Sequence, residues 1–139
     1  MTNSAGSDYW TTEVMTAAPQ KLQLMLIEGA IRLVHQARGF RQAGQDDAAS
    51  TALLRCQQIV TTLLAGISPE HSSDLTRQVA SVYLFVYRRL IAANLEQDDV
   101  KLGEALAILE IERETWSLLC QQLGATGGHQ SPGLTSLVA

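Results

Sequence analysis

The chain has 139 residues, enough for one domain with a single core and too few for two. Hydrophobic residues make up 46% and charged residues 17%, and with only three prolines the long stretches between glycines are free to be helical. A net charge of -4 excludes a protein built around a phosphate backbone, because affinity for nucleic acid comes from a positive field.

Residues 1–15 are rich in Ser, Thr and Asn and are expected to form a flexible segment that does not fold by itself. Tyr9, Trp10, Val14 and Met15 nonetheless give this polar stretch an apolar handle. The first ten residues lack the basic start and apolar run of a signal peptide, and no later run approaches the roughly 20 apolar residues of a membrane helix. A cytoplasmic location without membrane insertion is expected.

The first helix is expected over Ala17 to Ala37, with Thr16 as its cap and Pro19 in the first turn. Leu22, Leu26, Gly29, Ala30, Leu33, Ala37 and Phe40 share one stripe at helical period, which reads as the core face. A second apolar group, Leu24, Ile27, Ile31 and Val34, falls round to one side and reads as surplus surface. Gly29 weakens a helix interior, which predicts close approach of a neighbouring backbone.

Gly39 and Gly44 flank a predicted break, and Asp46 and Asp47 then open a second helix at its positive dipole end. That helix runs to about Gly66 with Ala49, Ala52, Leu53, Cys56, Val60, Leu63 and Ile67 on a narrow core stripe. Pro69 with Ser72, Ser73 and Asp74 supplies turn and cap chemistry before a third helix, Asp74 to about Leu95. Its core stripe is Leu75, Val79, Val82, Val86, Leu90 and Ala93, and a second group, Ala80, Leu84, Tyr87, Ile91 and Leu95, again lies to one side. Breaks at 66–73 and 96–99 separate the remaining helices. Asp98 and Asp99 open the fourth, which carries Leu102, Ala105, Leu106, Leu109, Trp116, Cys120 and Leu123 on one stripe. From Gly124 the periodicity is lost and a disordered tail is expected.

The expected architecture is an all-α, antiparallel up-and-down four-helix bundle over 16–123, with flexible segments at 1–15 and 124–139. Such bundles can hold two metals on Glu and Glu-x-x-His ligands, but no Glu-x-x-His occurs and His35, His71 and His129 fall on different elements. The aspartates of both Gln-Asp-Asp segments read as helix caps. Phosphate-cradling, dinucleotide and nucleophile-elbow motifs are all missing, so neither an enzyme nor a cofactor is expected. Cys56 and Cys120 sit on core stripes and read as reduced, buried thiols. Arg88 and Arg89 read as interhelical ion-pair partners, and Arg113 as a buried stem with a paired head.

Taken together, several landmarks resemble the FliS family of flagellin-specific export chaperones. They are Tyr9 with Val14, the run from Thr16 to Leu26, Gly29, Ala30 and Arg32, then Gln57, Ile59 and Leu63, and finally Tyr83, the segment Tyr87 to Asn94, and Trp116. The chain departs from the family pattern at Ile27, Glu28 and Leu84. The resemblance implies a cytoplasmic chaperone that holds the C-terminal segment of flagellin, prevents premature polymerisation and delivers the client to the flagellar export gate. On this reading Leu24, Ile27, Ile31 and Val34 of helix one and Ala80, Leu84, Tyr87, Ile91 and Leu95 of helix three line the client groove. Tyr9, Trp10 and Val14 form an N-terminal lid or a docking element for the export gate. Fully burying the four helix-one residues would contribute on the order of 6 to 12 kcal/mol, at roughly 1.5 to 3 each, before the cost of ordering the client. The competing reading is a homodimeric helical adaptor that pairs its surplus apolar faces.

Overall fold

The computed structural model describes residues 19–67 and 73–125. Four helices make up this part of the chain: α1 Pro19–Gln42, α2 Asp46–Ala65, α3 Asp74–Glu96 and α4 Asp99–Ala125. There is no strand among the described residues. Each helix packs against the next in sequence, and α4 closes the ring against α1. Connections as short as 43–45 and 97–98 leave consecutive helices no option but to run antiparallel. The result is an all-α, up-and-down four-helix bundle in which α1 and α3 are diagonal.

Local chemistry fixes the helix ends. The expected break at Gly39 is corrected, because α1 continues to Gln42 and Gly39 lies in its last turn. Gly44 is the terminator, at φ +74. Its N–H donates to the Arg41 carbonyl at 3.0 Å and that of Gln45 to the Phe40 carbonyl at 2.8 Å, the paired bonds of a left-handed C-cap. Gln97 does the same for α3 at φ 50, without the freedom of glycine. Ser73 caps α3 by accepting from the Thr76 N–H at 3.1 Å. Asp98 opens α4 by accepting from the Val100 and Lys101 N–H groups at 2.9 and 3.2 Å.

The core contains Ile27, Ala30, Ile31, Leu33, Val34 and Ala37 of α1, with Ala49, Ala52, Leu53, Cys56, Val60 and Leu63 of α2. Tyr83, Val86, Leu90 and Ala93 of α3 and Leu102, Ala105, Leu106 and Leu109 of α4 complete it. The division of α1 into a core face and a surplus face is therefore corrected. A helix with neighbours on two flanks buries a wide arc, and both apolar groups belong to it. Ala30 and Cys56 mark the α2 flank, where the thiol donates to the Ala30 carbonyl at 3.4 Å. Arg38 marks the other. It follows Ile31 by two helical turns on the same stripe and pairs with Asp99 at the start of α4, 2.9 Å away.

Gly29 is corrected as well. No backbone approaches it, and an added Cβ would stand 3.5 Å from Ile59 Cδ1, an ordinary contact. Arg113 is exposed and Cys120 only half-buried, because the last turns of α4 run past the closed part of the core. Leu75, assigned to the α3 core stripe, is 45% exposed at the same end of the bundle. There Leu22, Leu26, Val79, Trp116, Leu119 and Leu123 are all half-buried. The bundle is tightly closed at one end and open at the other.

Candidate binding surface

A polar layer separates the two ends. The hydroxyl of Tyr83, itself fully buried, accepts from Gln23 Nε2 at 3.1 Å and donates to Glu112 Oε1 at 3.0 Å. Three helices are tied by one side chain. Burial, reinforced by the Glu112 charge, holds the Tyr83 phenol well above its ordinary range, so the hydroxyl keeps its proton. Cys56 is pushed up to about 12 by burial alone and is an inert core thiol. Cys120 is also raised, again chiefly by burial.

Exposed large apolar side chains lie mainly on α3 and α4, with Val100, Ile111 and Leu118 on the latter. Leu84 is 37% exposed and Leu95 80% exposed, with half-buried Tyr87 and Ile91 between them at helical spacing. These residues and half-buried Ala80 share one side of α3. Facing Tyr87 across the seam is α2, which contributes Leu54, Gln57, Gln58 and Thr61 to a shallow cleft of about 320 Å³. Leu54 is 51% exposed. On the other flank of α3 a larger cleft of about 460 Å³ opens towards α4, with Leu75, Val79, Trp116, Leu118 and Leu119 supplying its apolar wall. Helix α3 thus lies between a cleft of mixed lining on the α2 side and a largely apolar one at the open end on the α4 side.

The nine residues assigned to a single client groove do not come together. Ile27, Ile31 and Val34 are in the core, Leu24 is half-buried on α1, and the five α3 residues lie on a helix diagonal to α1. A groove between α1 and α3 is geometrically closed off by the core itself. Sequence reasoning missed the α2 side of the cleft. The available signal was Leu54, an apolar residue one step off the α2 core stripe. Tyr9, Trp10 and Val14 lie outside the described residues. Arg89 does make the expected interhelical pair, with Glu104 at 3.3 Å, and its guanidinium also lies 5.1 Å from the Phe85 ring centre. Among the described residues no group of three or more His, Cys, Asp or Glu side chains could hold a metal, and no helix is long and apolar enough to cross a membrane.

The described residues form an all-α bundle with one mixed cleft between α2 and α3 and one largely apolar cleft between α3 and α4. The match to known proteins is specific. The family model described as flagellar protein FliS covers residues 1–123. The flagellar secretion chaperone FliS of Salmonella typhimurium is 32% identical over 104 residues, covering 74% of this chain and 77% of the relative. That of Bacillus subtilis is 26% identical over 113 residues, covering 81% and 84%. That of Escherichia coli is 28% identical over 113 residues, covering 79% and 83%. The chain belongs to the FliS family of flagellar proteins.

Proposed function

We propose that this protein is a cytoplasmic chaperone for the C-terminal segment of flagellin, keeping it from polymerising and presenting it to the flagellar export gate. Family membership supports the role, and the observation that carries the contact is the strip Leu84, Tyr87, Ile91 and Leu95, uncovered along α3 beside Leu54. An unfolded client that forms amphipathic helices would lay its apolar face along this strip and continue into the α3–α4 cleft. Ordering such a client opposes binding, which favours a long wrapped contact over one short helix. The reading is one of binding, with no catalytic step. Tyr9, Trp10 and Val14 enter it as a cover for the empty groove or as the contact with the export gate.

The test is co-expression with a flagellin C-terminal fragment followed by size exclusion. A one-to-one complex is expected with the wild-type chain, and Leu84→Asp is expected to lose it while eluting as a folded monomer. Light scattering on the chain alone identifies the competing homodimer: a dimer that Leu84→Asp dissociates would assign the strip to self-association instead.

A further inference from the structure

We infer that the cleft between α1 and α2 is a second docking site, which takes an acidic amphipathic helix of a partner protein. The cleft has a volume of about 390 Å³. Its floor is Leu26, Gly29, Leu33 and Ile59, and Arg32 and Arg55 stand at its rim. Both arginines are exposed, and neither makes a hydrogen bond or ion pair among the described residues. Arg38, Arg77, Arg89 and Lys101 each pair with a carboxylate, whereas Arg32 and Arg55 bring two uncompensated charges to the rim of one cleft. No carboxylate lines the cleft.

Gly29 gives an independent observation. Glycine weakens a helix interior, yet no neighbouring backbone requires it here, since the nearest atom to an added Cβ is Ile59 Cδ1 at 3.5 Å. What its missing side chain does is deepen the floor directly beneath the Arg32 guanidinium, whose Nη2 would be 3.6 Å from that Cβ. An apolar floor with two unpaired guanidinium groups above it matches a helix that has leucine-like residues on one face and carboxylates at the border of that face. Charge alone is not the whole match, because a polyanion would leave the floor wet.

This site does not depend on the client reading. Leu54 and Arg55 are consecutive, and the first faces α3 while the second faces α1, so α2 separates the two surfaces.

The experiment uses the full chain and a synthetic helical peptide of about 18 residues with leucines on one face flanked by glutamates, labelled for fluorescence anisotropy. A copy with lysines in place of the glutamates and a polyglutamate of equal length complete the set. The glutamate peptide is expected to bind about ten-fold or more tighter than either control, weakening several-fold as salt rises from about 50 to about 300 mM. The double variant Arg32→Glu/Arg55→Glu should reverse the preference towards the lysine peptide, a gain that misfolding cannot produce. Gly29→Leu should abolish binding of both by filling the floor, while Leu84→Asp should leave it unchanged. Equal binding of glutamate and lysine peptides, undiminished binding to the double variant, or polyglutamate binding as tightly as the amphipathic peptide would overturn the assignment. A loss with Leu84→Asp would move the peptide to the client strip and overturn it equally.

Discussion

Tyr83 Oη donates to Glu112 Oε1 at 3.0 Å from inside the bundle, joining α3 to α4 where the closed core gives way to the open end. With Gln23 donating to the same oxygen, this one phenol fixes the mutual height of three helices. Tyr83→Phe keeps the ring and removes the oxygen, leaving two partly buried polar groups without their partner. A loss of about 1 to 3 kcal/mol is expected. Chemical denaturation measures it, and an unchanged midpoint would show that the layer contributes no stability.

Alkali is expected to unfold the protein by a route that burial sets up. Cys56, ordinarily near 9.0, is held up to about 12, and Tyr83 is raised from 10.0. Both are acids kept protonated by folding, while the unfolded chain releases their protons at the ordinary values. Their contribution is whole below pH 9 and is lost progressively as pH rises through that of the folded thiol. Unfolding free energy measured at pH 8 and pH 11 should therefore fall, and Cys56→Ala should reduce the size of the fall. A drop identical in both proteins would remove the thiol from the explanation.

Ile31→Asp is expected to unfold the bundle. Ile31 is 5% exposed and faces the core from α1, so the new carboxylate would have neither water nor a partner. The cost should exceed about 4 kcal/mol. Leu33→Asp, at 6% exposure, should be comparable. Leu84→Asp should change thermal stability little, because its side chain already meets water. Circular dichroism melts of the three variants distinguish core from surface, and a native-like melt for Ile31→Asp would restore it to the surface.

Gln97→Gly is expected to stabilise the chain. Gln97 holds φ 50 at the end of α3, and a side chain in that region costs roughly 1 to 2 kcal/mol that glycine avoids. Glycine returns part of this through the entropy of the unfolded chain, so a net gain of about 0.5 to 1 kcal/mol is reasonable. A raised melting temperature is the expected readout. The Gly44→Ala counterpart, at φ +74, should lower it.

The number and order of the helices were legible because period and turn residues agree, while the end of α1 was placed too early, at Gly39 instead of Gln42. Ser73 and Asp98 cap their helices as their residue types suggest, whereas Asp46 and Asp47 lie in the first turn of α2 and do not cap it, Gln45 holding the N-cap position without a side-chain bond. The α2 stripe from Ala49 to Leu63 was read correctly because that helix has one compact apolar arc. On α1 the same reasoning failed, since period alone cannot tell a wide core arc that serves two neighbours from a core face plus a spare one. Which helices are diagonal is a property of the assembled ring, and it decides that Ile27, Ile31 and Val34 are inside. Tyr83 was overlooked as a core residue for a related reason: its burial depends on Gln23 and Glu112, distant in sequence, meeting its hydroxyl. On α3 the apolar side group shares one flank, where Leu84 and Leu95 are exposed while Ala80, Tyr87 and Ile91 are half-buried.

The remaining prediction concerns the apolar handle at the N-terminus. If Tyr9, Trp10 and Val14 cover part of the empty grooves, deleting residues 1–13 should expose Leu84, Leu95 or the Trp116 cleft further and increase binding of a hydrophobic dye. Two docked aromatics would contribute a few kcal/mol at about 25 cal/mol per Å², reduced by the ordering of their segment, so a longer client could displace them. Trp10 is the reporter. Trp116 cannot serve as a silent reference, because it is half-buried and lines the α3–α4 cleft, so the measurement uses a Trp116→Phe background. Adding the flagellin C-terminal fragment should then shift Trp10 emission towards that of a solvated indole. Emission of a fully solvated indole with and without client, together with unchanged dye binding after the deletion, would rule out a cover and leave the export gate as the partner of Tyr9.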